Sequence, residues 1–344
     1  MNTRERFHAV MNFQPFDRLP ILEWAGWWDK TIERWHGEGL PATLTDRYEI
    51  CRHLGLEVYR QSWFPSRHKH CPTPAGHGLG ILTDERDYER LRPCLFPLLD
   101  DKPVDAALWR RWAEEQNRGD SVLWFTLDGF FWFARGLLGI ERHLYAFYDQ
   151  PQLLHRINED LASWMLKVID RVCAICAPDF MTFAEDLSYN NGPMLSKELF
   201  DEFMLPYYRR VIPALKERGI LTIIDSDGDI TSAAPWFESA GLDGILPLER
   251  QAGVDMNVLR RNHPRMRFIG AFDKMTMNKG EAAMRAEFER LLPAARSGGF
   301  AISCDHQTPP GVSLEDYRLY LRLFREYGER AAKRAPCPER STYL

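Results

Sequence analysis

The sequence predicts an α/β chain folded as a single (β/α)8 barrel, a TIM barrel, on three observations. Its 344 residues are the size of one large barrel with an insertion. From about residue 150 onward, helical and strand-like patterns alternate one for one, which argues for parallel βαβ units rather than an antiparallel sandwich. Strand-like runs near residues 20, 57, 122, 180, 221, 243, 267 and 300 make eight, the number that closes such a barrel.

Taken in order, PILEWAG (20–26), LGLEVYRQS (54–62) and SVLWFTLDG (121–129) read as the first three strands. The irregular stretch between Trp63 and Pro97, rich in His, Pro and Gly, reads as an insertion between the second and third. Leu153, Leu154, Ile157, Leu161, Trp164, Met165, Val168, Ile169 and Val172 fall at helical spacing and mark one face of a long helix over 151–176. PDFMTFAED (178–186) follows as a strand ending in two acids. A helix then opens at Ser196 with a capping-box pattern and stops at Gly219. ILTIIDSDGD (220–229) is strand and acidic turn, ITSAAPWFESAG a helix closing at Gly241, and LDGILPLE (242–249) a strand. VDMNVLRRNHP is helix, RFIGAFDK (267–274) strand, GEAAMRAEFERLLPAARSGG helix and FAISCDHQ (300–307) the last strand, with a closing helix from Ser313. The barrel is expected over 1–330, and the charged, proline-containing segment 331–344 as a loose tail.

Composition narrows the function classes. Hydrophobic residues at 45% and charged residues at 27% exclude disorder, collagen-like repeats and coiled coil as readings of the whole chain. With 44 Lys and Arg against 49 Asp and Glu, a net charge of −5 and no basic block, nucleic acid is not an expected partner. The start, MNTRERFHAV, is charged and amphipathic rather than a secretory leader. No run approaches the roughly 18 apolar residues a membrane span needs. Seven scattered Cys fit a reducing compartment, so a cytoplasmic location is expected. Cys173 and Cys176 lie inside a helical pattern and read as packing residues. No GxGxxG, GxxxxGK[ST] or GxSxG occurs, so nucleotide and hydrolase signatures are absent.

In a barrel of this kind the chemistry sits at the C-terminal ends of the strands. Those ends carry Glu23 with Trp24; Gln61; Asp128; Glu185 with Asp186; Asp225 with Asp227 and Asp229; Glu249; Asp273 with Lys274; and Cys304 with Asp305 and His306. Converging carboxylates repel one another unless a cation, a cationic substrate or raised pKa values relieve them. A metal is the economical answer. The DSDGD turn is not a calcium loop of the EF-hand kind, since Trp236 stands where the bidentate Glu belongs. Asp225 and Asp227, at i, i+2, can point together into the barrel mouth; alternatively, one acid caps the next helix and the others are solvated. Cys304 and His306 suit a mixed Zn2+ site, a Cys nucleophile with its base, or a buried structural pair. Eleven Trp, nine at or before Trp132, exceed what a core requires. Trp24, Trp27, Trp28, Trp63 and Trp132 follow the first three strands, which predicts a pocket half aromatic and half acidic, suited to an apolar, aromatic or methylated substrate. Trp109, Trp112, Trp124 and Trp164 read as core.

Several blocks, in order, carry a resemblance: TRERFHAVMNFQPFDRLPI, AEDLSYNNGPMLSKELFDEFMLPYYRRVIPALKERGI, DSDGDI, LDGILPLERQAGVDMNVLR, IGAFDK and SCDHQTPPGVSLEDYRLYL. Together they resemble the uroporphyrinogen decarboxylase superfamily from about residue 3 to residue 327. The resemblance implies a (β/α)8 barrel and one of two activities. The decarboxylases carry an RQAGRY-type motif after the first strand, whose arginines bind the porphyrinogen carboxylates; here that segment reads EWAGWWDK, with Glu23 and tryptophans in place of arginines. The cobalamin-dependent methyltransferases bind Zn2+ through a His-x-Cys after the fifth strand and a Cys at the last, and the metal activates a thiol that takes a methyl group from a corrinoid protein. The His-x-Cys falls on Asp225-Ser226-Asp227 and the last Cys on Cys304.

The resemblance therefore implies a metal-dependent methyltransferase acting with a corrinoid protein on a small-molecule substrate. Asp225, Asp227 and Cys304 would hold a divalent metal, Zn2+ in the family. Glu185, Asp186 and His306 would act in catalysis, and Trp24, Trp27, Trp28, Asn190 and Lys274 would bind substrate. The alternative it implies is a lyase, a uroporphyrinogen-type decarboxylase acting on a carboxylate without metal. Surface helices of large barrels often pair, and a homodimer is expected.

Overall fold

The computed structural model describes residues 1–97 and 105–332, so most of the tail expected from residue 331 lies outside the described residues. The fold is α/β. Its strands are β1 (Val58–Phe64), β2 (Ser121–Asp128), β3 (Phe180–Ala184), β4 (Ser188–Tyr189), β5 (Gly192–Pro193), β6 (Leu221–Asp225), β7 (Gly244–Leu246), β8 (Arg267–Phe272) and β9 (Phe300–Cys304). Seven form one sheet in the order β1-β2-β3-β6-β7-β8-β9, while β4 and β5 make a separate antiparallel pair. The chain divides into two compact units, Tyr59–Ile269, and Met1–Val58 with Gly270–Leu344.

In the unit Tyr59–Ile269, the pairings β2–β3, β3–β6, β6–β7 and β7–β8 are parallel. Parallel strands are covered on both faces and read as continuous apolar runs. All five residues of β3 are buried, as are the first seven of β2. Trp124 stacks on Phe180 across that pair at 4.8 Å, and Trp109 stacks on Phe64 at 5.8 Å, the core roles expected of both. The long helix runs Pro151–Cys173 with its proline at the first turn, where the missing N–H is no loss. It ends before Cys176, and burial pushes the Cys173 thiol up to about 11, which leaves it unreactive. The helix expected over Ser196–Gly219 is two, Lys197–Phe203 and Leu205–Lys216. They part at Met204 (φ −122°), and Pro206, in the first turn of the second helix, has no N–H to carry the first helix's ladder across.

The unit Met1–Val58 with Gly270–Leu344 shows why the sequence predicts one strand too many. Residues 20–26 form no strand. Pro20 has no N–H to give a ladder. The Ile21 N–H goes to the Glu57 carboxylate at 3.2 Å and the Trp24 N–H to the Ser303 hydroxyl at 3.2 Å. Side chains take the donors that a neighbouring strand would need. Glu57 is held for this task between Arg6 and Arg18.

One buried histidine makes the acid limb of stability testable. His143 packs against Phe131 and Phe147, at ring distances of 4.6 and 5.0 Å, and burial, aided by the Arg135 charge, pushes it down to about 3 from an ordinary value near 6.5. The unfolded chain therefore binds a proton below that ordinary value which the folded chain refuses, so stability falls as pH falls. Between pH 6.5 and 5 the wild type should lose up to about 1.4 kcal/mol per pH unit relative to His143→Leu. Melting temperatures across that range check this; parallel profiles would contradict it.

Candidate functional site

The register of the parallel pairings sets Asp128, Ala184, Asp225 and Leu246 side by side at one end of the sheet. The chain then turns out of β3 through Glu185 and Asp186. Their N–H groups both donate to the Asp225 carbonyl, at 2.8 and 3.4 Å, and Asp186 takes a φ of +30°, uncommon for any residue but glycine. The loop after β6 is laced to it. The Asp227 N–H donates to Asp186 Oδ1 at 3.2 Å, the Gly228 N–H to Glu249 Oε2 at 3.0 Å, and the Leu187 N–H to Ser226 Oγ at 3.2 Å. Gly228, at φ +83°, lies so close to the backbone of Ser188 and Tyr189 that a Cβ would sit 2.8 Å from it. No other residue fits that approach.

The lacing gathers Asp186, Asp225 and Asp227 so that one oxygen of each lies within 4.8 Å of the others. Among the described residues no other group of three or more His, Cys, Asp or Glu side chains is gathered so tightly. Burial, then the charges of Asp186 and Asp227, hold Asp225 well above the usual carboxylate range. Asp229 turns away and caps the next turn through the Thr231 N–H at 2.9 Å. Of the two arrangements open for the DSDGD turn, each describes part of it.

Glu185 points elsewhere. Its Oε1 accepts the Phe130 N–H at 3.0 Å and the Tyr208 hydroxyl, and its Oε2 accepts the N–H groups of Phe131 and Trp132 at 2.8 and 3.0 Å. The fully buried carboxylate thus caps the helix Phe130–Leu138, whose first N–H groups have no intrahelical partner. Burial pushes it up to about 8 against those four donors.

A second constellation lies in the unit Met1–Val58 with Gly270–Leu344. The buried Glu23 accepts the Ser303 hydroxyl at 2.7 Å and the Cys304 N–H at 2.9 Å. Trp24 donates its indole N–H to the Cys304 carbonyl at 2.9 Å and meets His306 edge-on at 6.0 Å. Burial, then the Glu23 and Asp305 charges, hold the Cys304 thiol well above its ordinary value, the opposite of an activated nucleophile. Lys274 Nζ lies 3.3 Å from Asp305.

Comparison with known proteins decides the family. The sequence model of the uroporphyrinogen decarboxylase (URO-D) family matches residues 131–327. The chain belongs to the uroporphyrinogen decarboxylase family. It is 28% identical over 180 residues to a uroporphyrinogen decarboxylase of Bordetella petrii, covering 49% of this chain and 48% of that one. A uroporphyrinogen decarboxylase of an Anaeromyxobacter species is 22% identical over 191 residues, 54% and 51% of the two chains. The chain spans about half the length of the curated relatives it matches. In fold it is similar to a methyltransferase from Methanosarcina mazei, with a TM-score of 0.68 and 15% identity over 95% of this chain and 98% of that one.

Within this family member the remaining candidate residues fall as follows. Trp27 is 8% exposed and packs with Trp35 and Tyr317 at 5.7 and 5.9 Å. Trp28 is half exposed at the start of the helix Asp29–Gly37. Asn190 is exposed in the turn between β4 and β5. Asp128 is held by the Ser66 hydroxyl and, at 3.4 Å, the Trp63 indole N–H. Sequence reasoning passed over Arg135, whose Nη1 donates to the Asp186 carbonyl at 3.1 Å while its guanidinium lies over Trp132 at 5.1 Å. Their i, i+3 spacing on one helix face was the available signal.

The geometry of Glu185 separates an anchoring role from a proton-transfer role. Glu185→Ala leaves buried donors without an acceptor and should cost about 3 kcal/mol or more, against about 1–2 kcal/mol for Tyr208→Phe. Urea denaturation measures both; a Glu185→Ala protein of wild-type stability would contradict the anchoring role.

Proposed function

We propose that this member of the uroporphyrinogen decarboxylase family is a metal-dependent methyltransferase that works with a corrinoid-carrying protein on a small substrate. The observation that carries the reading is the Asp186, Asp225 and Asp227 cluster, which falls where the resemblance puts the methyltransferase branch's metal. The donor chemistry fits a metal, but not the sulfur-rich set of that branch. Three carboxylates are hard oxygen donors suited to Mn2+ or Mg2+, and Cys304 is not a member of the cluster. Asp186 thus replaces Cys304 as the third ligand beside Asp225 and Asp227.

A divalent ion there would supply Lewis-acid polarisation of a substrate atom. The chain's own residues supply the rest. Asp186 is oriented by the Asp227 N–H, and Glu249 holds the loop through the Gly228 N–H. Glu185 acts as a positioning residue, since both its oxygens are taken. Within the same unit as the cluster, Asn190 is exposed enough to meet substrate. Decarboxylation of a porphyrinogen is disfavoured by Glu23, which stands buried in the segment where the decarboxylases place their arginines.

Two assays test this. Metal analysis after reconstitution with Mn2+ should give one ion per chain, with at least tenfold weaker binding in Asp186→Asn and Asp227→Asn (about 1.4 kcal/mol or more) and no change in Cys304→Ala. Metal-free wild type, or loss of metal in Cys304→Ala, would overturn the ligand set. Incubation with uroporphyrinogen should yield no coproporphyrinogen; its formation would favour the lyase reading.

A further inference from the structure

We propose that a cavity in the unit Tyr59–Ile269 is a binding site for a small aromatic carboxylate, held between Arg67 and Arg135 against Trp132. The cavity measures about 250 Å3 and is lined by Arg67, His77, Leu79, Trp132, Arg135 and Ile140, among others. The site stands on its own observations and does not rest on the methyltransferase reading.

The first observation is charge. Many arginines of the fold meet carboxylates, as Arg6 and Arg18 share Glu57 and Arg60 pairs with Glu115, and others, such as Arg47 and Arg260, are satisfied by two backbone carbonyls each. Arg67 and Arg135, both half-buried, have no carboxylate within ion-pair distance among the described residues. Among the described residues the Arg135 guanidinium makes one hydrogen bond, to the Asp186 carbonyl at 3.1 Å, and Arg67 reaches Asp128 through its charge. Half-buried guanidinium groups without a counter-ion are costly unless something else neutralises them, and a guanidinium fork matches a carboxylate in both geometry and charge.

The second observation is the wall. The loop carrying Gly78 and Leu79 is pressed onto the end of the helix Phe130–Leu138, with Ile140 N–H donating to the Gly78 carbonyl at 2.9 Å and Ile81 N–H to the Leu137 carbonyl at 2.7 Å. A Cβ on Gly80 would sit 2.2 Å from the Leu138 carbonyl, and one on Gly139 2.6 Å from the Gly80 nitrogen. Only glycines allow this approach, so the cavity is set by backbone packing before any ligand arrives. The third observation is the remaining lining. The Trp132 ring and the Leu79 and Ile140 side chains favour a flat apolar body behind the anionic group. The volume, below the roughly 300 Å3 at which pockets for drug-sized ligands begin, limits that body to a single small ring.

Ligand-observed NMR titration of the full chain tests the site with benzoate, its neutral analogue benzamide, and inorganic phosphate. Benzoate should bind saturably, benzamide at least tenfold more weakly, and phosphate more weakly than benzoate. Arg67→Gln should weaken benzoate about tenfold, the loss of about 1.4 kcal/mol, with Arg67→Lys retaining part of the affinity and both variants melting as wild type does. Because the readout is binding without metal or turnover, its failure leaves the methyltransferase assays untouched. Absence of benzoate binding, equal affinity for benzamide, phosphate binding as tightly as benzoate, or an Arg67→Gln protein that binds benzoate as wild type does would each overturn the proposal.

Discussion

A single buried carboxylate organises one end of the sheet. Glu185 leaves β3 and accepts three N–H groups from the first turn of the helix Phe130–Leu138, together with the hydroxyl of Tyr208 on the helix Leu205–Lys216. An acceptor shared by a strand end and two helices fixes all three. The chain leaves almost no room around it, for a Cβ on Gly129 would lie 2.2 Å from Glu185 Oε2. This is why a glycine separates β2 from that helix. The next residue is Asp186, so its place in the acid cluster follows from where Glu185 is tied. Trp132 and Arg135, on the helix it caps, are set by the same tie.

The acids at the strand ends are sorted by what accepts their charge. Glu23, Glu185, Asp128 and Asp229 each meet local donors: backbone N–H groups, hydroxyls or an indole. These are satisfied within the fold and hold loops in place. Asp225 differs, because burial and then the charges of two neighbouring aspartates raise it. With Asp186 and Asp227 it makes a group of three carboxylates within 4.8 Å, whose mutual repulsion a cation would relieve. The same sorting sets Arg67 and Arg135 apart from arginines such as Arg6, Arg18 and Arg60, which meet carboxylates.

Much of this was legible in the chain. The apolar runs around Phe180, Ile223, Ile245, Phe268 and Ile302 announce strands because buried parallel strands have no polar face to alternate with. The acids following them, Asp186, Asp225 and Asp227, are found where the pattern ends. What the pattern hides is where each side chain turns. PILEWAG has strand composition, yet Glu57 and Ser303 take its N–H groups from distant places in the sequence. Glu185 and Asp186 are adjacent acids, but one caps a helix and the other joins the cluster. Trp27 and Trp28 are adjacent too, one in an aromatic core and the other half exposed. Periodicity reports the burial of an element, whereas these distinctions depend on partners distant in sequence.

The central claim is that Asp186, Asp225 and Asp227, oriented through the Glu185 tie, form a cation site of oxygen donors. The most direct measurement is a crystal structure of the full chain grown in Mn2+, with anomalous scattering used to place the ion. The account predicts one peak coordinated by carboxylate oxygens of these three aspartates. A peak bound at Cys304, or no peak at the aspartates under saturating Mn2+, would contradict it.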